Sequence, residues 1–175
     1  MTDKTNEAGA SADETAQIGL QKIYLKDASY EAPNAPGIFS GDWKPAINLN
    51  LATRHTNLGK NTYEVILEAT VEAKQEDSVA FLAEIQQAGI FMIRGLDEEE
   101  LSKVLATFCP TQIYPYARES IAELVGKGGF PQLHLQPVSF EAMVASAEAN
   151  GESEAQTETT DEDEQTETAD EDEQT

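Results

Sequence analysis

Regular alternation of apolar and polar residues leaves a chain few folds, and the segment from Tyr63 to Ile93 shows it over two successive runs. Tyr63, Val65, Leu67, Ala69, Val71 and Ala73 alternate with Glu64, Ile66, Glu68, Thr70 and Glu72. A period of two puts successive side chains on opposite faces of an extended strand, so the first run predicts a strand with one apolar and one largely acidic face. Lys74-Gln75-Glu76-Asp77-Ser78 breaks the pattern with turn-forming residues, which predicts a reversal into a second strand from Val79. There Val79, Phe81, Ala83 and Ile85 share one face, and Ala80, Leu82, Glu84 and Gln86 the other. The outward face of this hairpin mixes carboxylates with apolar groups, a surface better suited to a partner than to water.

The flanking sequence supplies two more strands. Ile18, Leu20, Ile23 and Leu25 follow a period of two with a slip near Gln21 and Lys22, which predicts a strand with a β-bulge. Two prolines and a glycine within Glu31–Gly37 predict an irregular loop, and Ile38, Phe39 and Trp43 pin that loop to the body or line a groove. Ala46 to Ala52 alternates strictly and predicts a second strand, with His55 to Asn61 as the turn after it. Short connections between four successive strands predict an antiparallel sheet, since parallel pairing needs long crossovers. Asp97 is an N-cap for a helix opening with Glu98, Glu99 and Glu100, whose stripe is Leu101, Val104, Leu105 and Phe108. Pro110 is expected to end it. A second helix is expected from Pro115 to the glycines at 126, 128 and 129, then an extended connector over residues 130–138. Ser139 caps a last helix carrying Phe140, Met143, Val144 and Ala147. The fold class is α+β, a four-stranded antiparallel sheet with helices covering one face.

Composition divides the chain into an N-terminal arm over residues 1–17, a folded domain over 18–147 and a tail over 148–175. The arm has no large apolar side chain after Met1 and is expected to be disordered. The tail repeats nine residues, Gln156–Glu164 recurring as Gln165–Glu173 with one change, and has no apolar face to stack. Of 33 acidic residues 13 lie from Glu148 onward, where there is no basic one, leaving 20 acidic against 11 basic before it. An acidic body on a chain of net charge −22 argues against nucleic acid, whose phosphates need concentrated Lys and Arg, and favours a basic protein partner. No apolar run approaches the ~20 residues that span a bilayer, and Met1 to Gln17 lacks a signal-peptide core, so no membrane insertion and a cytoplasmic location are expected. The single cysteine, Cys109, fits a reducing compartment.

No catalytic set emerges. His55 stands in the expected turn and His134 in the connector, each alone, and nothing around Cys109 reads as a nucleophile signature. There is no phosphate loop, dinucleotide fingerprint or zinc-ligand spacing, so neither enzymatic activity nor a cofactor or metal is expected. Asp97 to Glu100 is a helix first turn, whose neighbouring carboxylates do not face one another. The apolar residues Trp43, Ile47, Leu49, Leu51, Phe91 and Tyr116 can each be core. Together they exceed what a small sheet flanked by a proline loop should bury, which favours an apolar groove or a subunit interface.

Several ordered blocks resemble the SecB family of bacterial protein-export chaperones over roughly Ile18 to Ala147. They are Ile23-Tyr24-Leu25-Lys26-Asp27, the run Tyr30 to Pro36, Asp42-Trp43 with Pro45, Tyr63-Glu64-Val65, and Ala80-Phe81-Leu82 with Glu84. Gln86 to Phe91, Cys109-Pro110, Pro115-Tyr116-Ala117-Arg118-Glu119 and Gly129 to Leu133 complete the match, while the arm and the acidic repeat depart from it. The resemblance implies a homotetramer, built as a dimer of dimers, that uses no nucleotide, holds unfolded precursor proteins in apolar grooves and hands them to the SecA motor. On matching positions it implies a client groove at Trp43, Ile47, Leu49, Leu51 and Tyr116, to which Phe91 is added from the apolar set. It implies a SecA-docking face at Asp27, Glu31, Leu82 and Glu84, and a subunit interface on the strand face of Ala83, Ile85 and Gln87. Val144 takes the place of a late aromatic groove residue. Two other readings stay open: a relative of the same family dedicated to a toxin–antitoxin pair, and a small-molecule-binding α+β module.

Overall fold

The computed structural model describes residues 15–157 of the chain. Four strands, β1 (Gln17–Glu31), β2 (Ala46–Gly59), β3 (Thr62–Gln75) and β4 (Ser78–Arg94), form one antiparallel sheet in the spatial order β1-β4-β3-β2. The hairpin of β3 and β4 is the predicted one, and its two strands are the inner pair. β1 carries the expected bulge between Leu20 and Lys22 and a second between Leu25 and Asp27. The turn expected from His55 is instead strand: β2 runs on to Gly59 and reverses through Lys60 and Asn61, both at positive φ, so His55 pairs with Val65.

Helices follow. α1 (Glu98–Lys103) is capped by Asp97, whose Oδ1 accepts from the Glu100 N–H at 2.8 Å while Glu100 Oε2 accepts from the Asp97 N–H at 3.2 Å, a reciprocal capping box. Pro110 does not end the helix. The chain passes through a π-helical turn, Val104–Phe108, directly into α2 (Cys109–Lys127), which also contains Pro115. In that wider turn the Cys109 N–H donates to the Val104 carbonyl, and Thr107 Oγ1 donates to the Lys103 carbonyl at 2.7 Å. The extra residue lets the helix continue past a proline that lacks an N–H, and it moves the apolar stripe on by one position. Phe108, expected inside, is therefore exposed, and Cys109 is fully buried in its place.

α2 lies across β4 and β3. Val65, Leu67, Ala69, Val71, Phe81, Ala83, Ile85, Phe91 and Ile93 on the sheet meet Cys109, Ile113, Tyr114, Ala117, Ile121 and Val125 on the helix. At the end of α2 a Cβ on Gly128 would sit 1.9 Å from Tyr30 Oη, although its φ of −72° is open to any residue. Contact with β1, and not backbone conformation, is what demands glycine there. The loop before β2 is tied down by Asn34 Nδ2 donating to the Val79 carbonyl at 2.9 Å and by Gln75, which donates to the Asp42 carbonyl and accepts from the Lys44 N–H. Its Trp43 stacks in a cluster with Phe81 and Phe130.

Described residues up to Phe140 belong to one compact unit, and those from Glu141 on to a second. α3 (Phe140–Thr157) runs past Ala147, where the tail was expected to begin, over alanine, glutamate and glutamine that favour helix. The expected disorder of the arm and of the final repeat falls almost wholly outside the described residues.

Candidate functional site

Strand pairing sorts the acidic residues of the sheet onto the face that α2 leaves bare. Asp27 pairs with Gln86, Ser29 with Glu84 and Glu31 with Leu82, so these side chains share the face opposite the core, next to Glu68, Thr70 and Glu72 of β3. All four residues expected for docking, Asp27, Glu31, Leu82 and Glu84, lie together there. Asp27 and Glu31 are four residues apart on one strand, about 13 Å at ~3.3 Å per residue.

Counter-ions divide this face in two. On β3, Glu64 pairs with Lys26 at 2.8 Å, Glu68 with Arg54 at 2.7 Å and Glu72 with Lys74 at 2.8 Å. Among the described residues Asp27, Glu31 and Glu84 have no such cation; Glu84 instead accepts from Ser29 Oγ and Thr70 Oγ1, both at 3.4 Å. The unneutralised charge is thus concentrated around half-buried Leu82. Sequence reading missed the hydroxyls of Ser29 and Thr70, because only the register across three strands brings them to Glu84.

The Glu64 carboxyl is held below the usual carboxylate range by its hydrogen bonds from Lys26 and from the Tyr24 hydroxyl, and that bond pushes the Tyr24 phenol up to about 12. A folded value below the unfolded one gives stabilisation that is complete above the unfolded value, about 4.3 for Glu, and is lost as pH falls through the folded value. In thermal unfolding, wild type is expected to exceed Glu64→Gln in stability near neutrality, with the difference shrinking below about pH 4. A difference independent of pH across that range contradicts the assignment.

The helix side of β2 is the second surface. Ile47, Leu49 and Leu51 alternate on one face opposite Ala73, Val71 and Ala69, and α2, lying over β4 and β3, leaves this row at the border of the core. Leu49 and Leu51 are half-buried and Ile47 is 39% exposed. Trp43, half-buried, precedes the row with its ring 4.8 Å from that of Phe130. Tyr116 is 47% exposed on α2, a different element from the β2 row.

Two expectations are corrected. Phe91 is fully buried in the helix-side core in register with Tyr63 and Leu20, so it lines no groove. Ala83, Ile85 and Gln87 are buried at 0%, 2% and 3% exposure on the sheet face that α2 covers, with Gln87 Oε1 accepting from Ser120 Oγ at 3.2 Å. Their side chains have no surface to offer a partner subunit directly, and any effect on assembly passes through α2. What alternation did not reveal is that β1 is an edge strand on which Ile18, Leu20 and Leu25 remain exposed.

Cys109 is fully buried and its thiol is pushed up to about 12 by burial, far from a thiolate nucleophile. His134 is exposed, and among the described residues no three His, Cys, Asp or Glu side chains form a metal group.

The fold therefore defines a class: an α+β fold whose four-stranded antiparallel sheet has a helix packed on one side, a largely acidic opposite face and an apolar border. Residues 11–150 match the family model described as preprotein translocase subunit SecB. The chain is 44% identical over 162 residues to the protein-export protein SecB of Marinobacter nauticus, covering 93% of this chain and 98% of that protein. It is 46% identical over 161 residues to that of Azotobacter vinelandii, covering 91% and 99%. Among solved structures, a SecB-like chaperone of Mycobacterium tuberculosis in complex with a ChAD peptide from the HigA1 antitoxin shares the fold at a TM-score of 0.59 and 22% identity, over 70% of this chain and 91% of that one. The chain belongs to the SecB family of protein-export chaperones, which is not an enzyme family. No helix among the described residues is long and apolar enough to cross a membrane.

Proposed function

We propose that this chain holds unfolded precursor proteins in a translocation-competent state in the cytoplasm and delivers them to the SecA motor, working as a homotetramer built from two dimers. The observation that carries the reading is the separation of two surfaces on one sheet: the unneutralised carboxylates of Asp27, Glu31 and Glu84 around Leu82 on one face, and the apolar row Ile47, Leu49 and Leu51 on the other. An acidic patch with an apolar centre suits a basic partner that also buries a hydrophobic residue. The uncovered row on an edge strand suits an extended polypeptide, which gains main-chain hydrogen bonds from the free edge and apolar burial from alternate side chains. Assembly is supported by the second edge, β1, with exposed Ile18, Leu20 and Leu25.

Client capture tests the proposal. Wild type is expected to slow the refolding of several unrelated unfolded precursors. Replacing Leu49 and Leu51 together by Ser should weaken that effect roughly tenfold, since apolar burial contributes ~25 cal/mol per Å². Unchanged retardation by a well-folded variant would remove the groove from β2. Retardation of one precursor alone would favour a dedicated client, as in a toxin–antitoxin system.

A further inference from the structure

Arg54 ties β2 to both inner strands on the acidic face of the sheet. It stands on β2 opposite Ile66, yet its Nε donates to Glu68 Oε1 of β3 at 2.7 Å and its Nη2 to Gln86 Oε1 of β4 at 3.0 Å. A planar guanidinium serves both acceptors from one fork. Its ion pair with Glu68 marks the border where neutralised carboxylates give way to bare ones, because Gln86, opposite Glu68 on one side, faces Asp27 on the other.

This contact fixes the orientation of the Gln86 amide. A guanidinium only donates, so the atom that meets it is the carbonyl oxygen, and the NH2 group is turned away from Arg54. Gln86 is half-buried, and among the described residues its NH2 donates to nothing, although Asp27 lies across from it on β1. Gln86 and Glu84 share the face with one residue between them, about 7 Å apart at ~3.3 Å per residue. The patch therefore holds an aimed donor beside the bare carboxylates of Asp27 and Glu84. Lys and Arg side chains carry no acceptor, so a basic segment meets this donor with a main-chain carbonyl, which every residue supplies.

We propose that Gln86 is a docking residue of this face, donating its amide N–H to a main-chain carbonyl of the basic segment that the carboxylates attract, and that Arg54 is the positioning residue that aims it. The inference rests on the SecA docking proposed above and adds a contact that fixes the partner's backbone, where charge selects only its sign. Charge and positioning predict opposite outcomes for Arg54→Ala. Removing a cation and baring Glu68 tightens the hold on a basic partner if charge alone decides, whereas loss of the aimed amide weakens it. The affinity of the full-length chain for SecA is measured by isothermal titration calorimetry, with client retardation by each variant as the check on its fold. Gln86→Ala and Arg54→Ala are each expected to weaken SecA binding about fivefold, near what one hydrogen bond contributes, and the two together no more than Gln86→Ala alone. Glu31→Lys with Glu84→Lys is the control, and SecA binding that survives it overturns the docking reading and this contact with it. Where that control abolishes binding, unchanged affinity in Gln86→Ala or tighter binding by Arg54→Ala overturns the inference. Losses that add in the double variant overturn the part assigned to Arg54. Gln86→Ala decides the docking residue by itself if Arg54→Ala does not fold.

Discussion

Reversing Glu31 and Glu84 to Lys together is expected to weaken SecA binding by about a hundredfold or more while leaving client retardation intact. The size follows from the charge inventory of the patch. Asp27, Glu31 and Glu84 are the carboxylates of this face left without a chain cation, and two reversals turn three negative charges into a net positive one around Leu82. A basic partner then meets repulsion where it had complementarity, and Leu82 can be buried only against that repulsion. Stability should barely move, because Glu31 and Glu84 are exposed and the hydrogen bonds that Glu84 accepts, from Ser29 and Thr70, are both long at 3.4 Å. Salt should weaken the wild-type contact in the same direction, with screening over about 8 Å at physiological ionic strength. The acidic repeat is the rival source of such an effect. Loss of binding on removing the chain after Ala147, with none from the two reversals, would transfer docking to the tail.

The largest effect on stability is expected from Phe81→Ala. Phe81 is 1% exposed at the centre of an aromatic cluster, with ring centroids of Tyr30, Trp43 and Phe130 at 6.0, 6.4 and 5.2 Å. Removing a buried phenyl ring costs about 3–5 kcal/mol through lost burial and the cavity left behind. That is a large part of the ~5–15 kcal/mol that holds a domain folded. Trp43 is the chain's single tryptophan, so its fluorescence reports both unfolding and the loosening of the loop that leads into β2. Urea denaturation should show the loss in midpoint, with native emission shifted to the red. A change under about 1 kcal/mol with unchanged emission would mean that the cluster does not anchor the loop.

What could be read from residues alone follows how each segment is covered. β3 and β4 announced themselves because one face of each packs under α2 while the other carries Glu64, Glu68, Glu72, Glu84 and Gln86, and that contrast writes apolar and polar residues in alternation. The far half of β2 gave no such signal. Residues Thr53 to Gly59 are exposed throughout, and a strand with neither face buried has no reason to alternate, so it read as a turn. Continuity from α1 to α2 was hidden because Pro110 is an ordinary stop signal, and the π-helical turn that accommodates it depends on geometry that no local pattern encodes. The residues expected for docking were named through family resemblance, and the register brings their side chains onto one face of the sheet. Of the residues expected for an apolar groove, Phe91 and Leu49 are equally hydrophobic and equally placed in alternation, and only the position of α2 makes one core and the other border. The same cover removed Ala83, Ile85 and Gln87 from the surface.

Two tasks on opposite sides of one sheet is the central claim, and a three-component binding measurement tests it most directly. Client-loaded protein is mixed with SecA and each component is followed separately. Wild type should form a complex containing all three. Glu31→Lys with Glu84→Lys should retain client and lose SecA, and Leu49→Ser with Leu51→Ser should retain SecA and lose client. Either pair of substitutions abolishing both interactions, in a variant that keeps its fold and assembly, would contradict the separation.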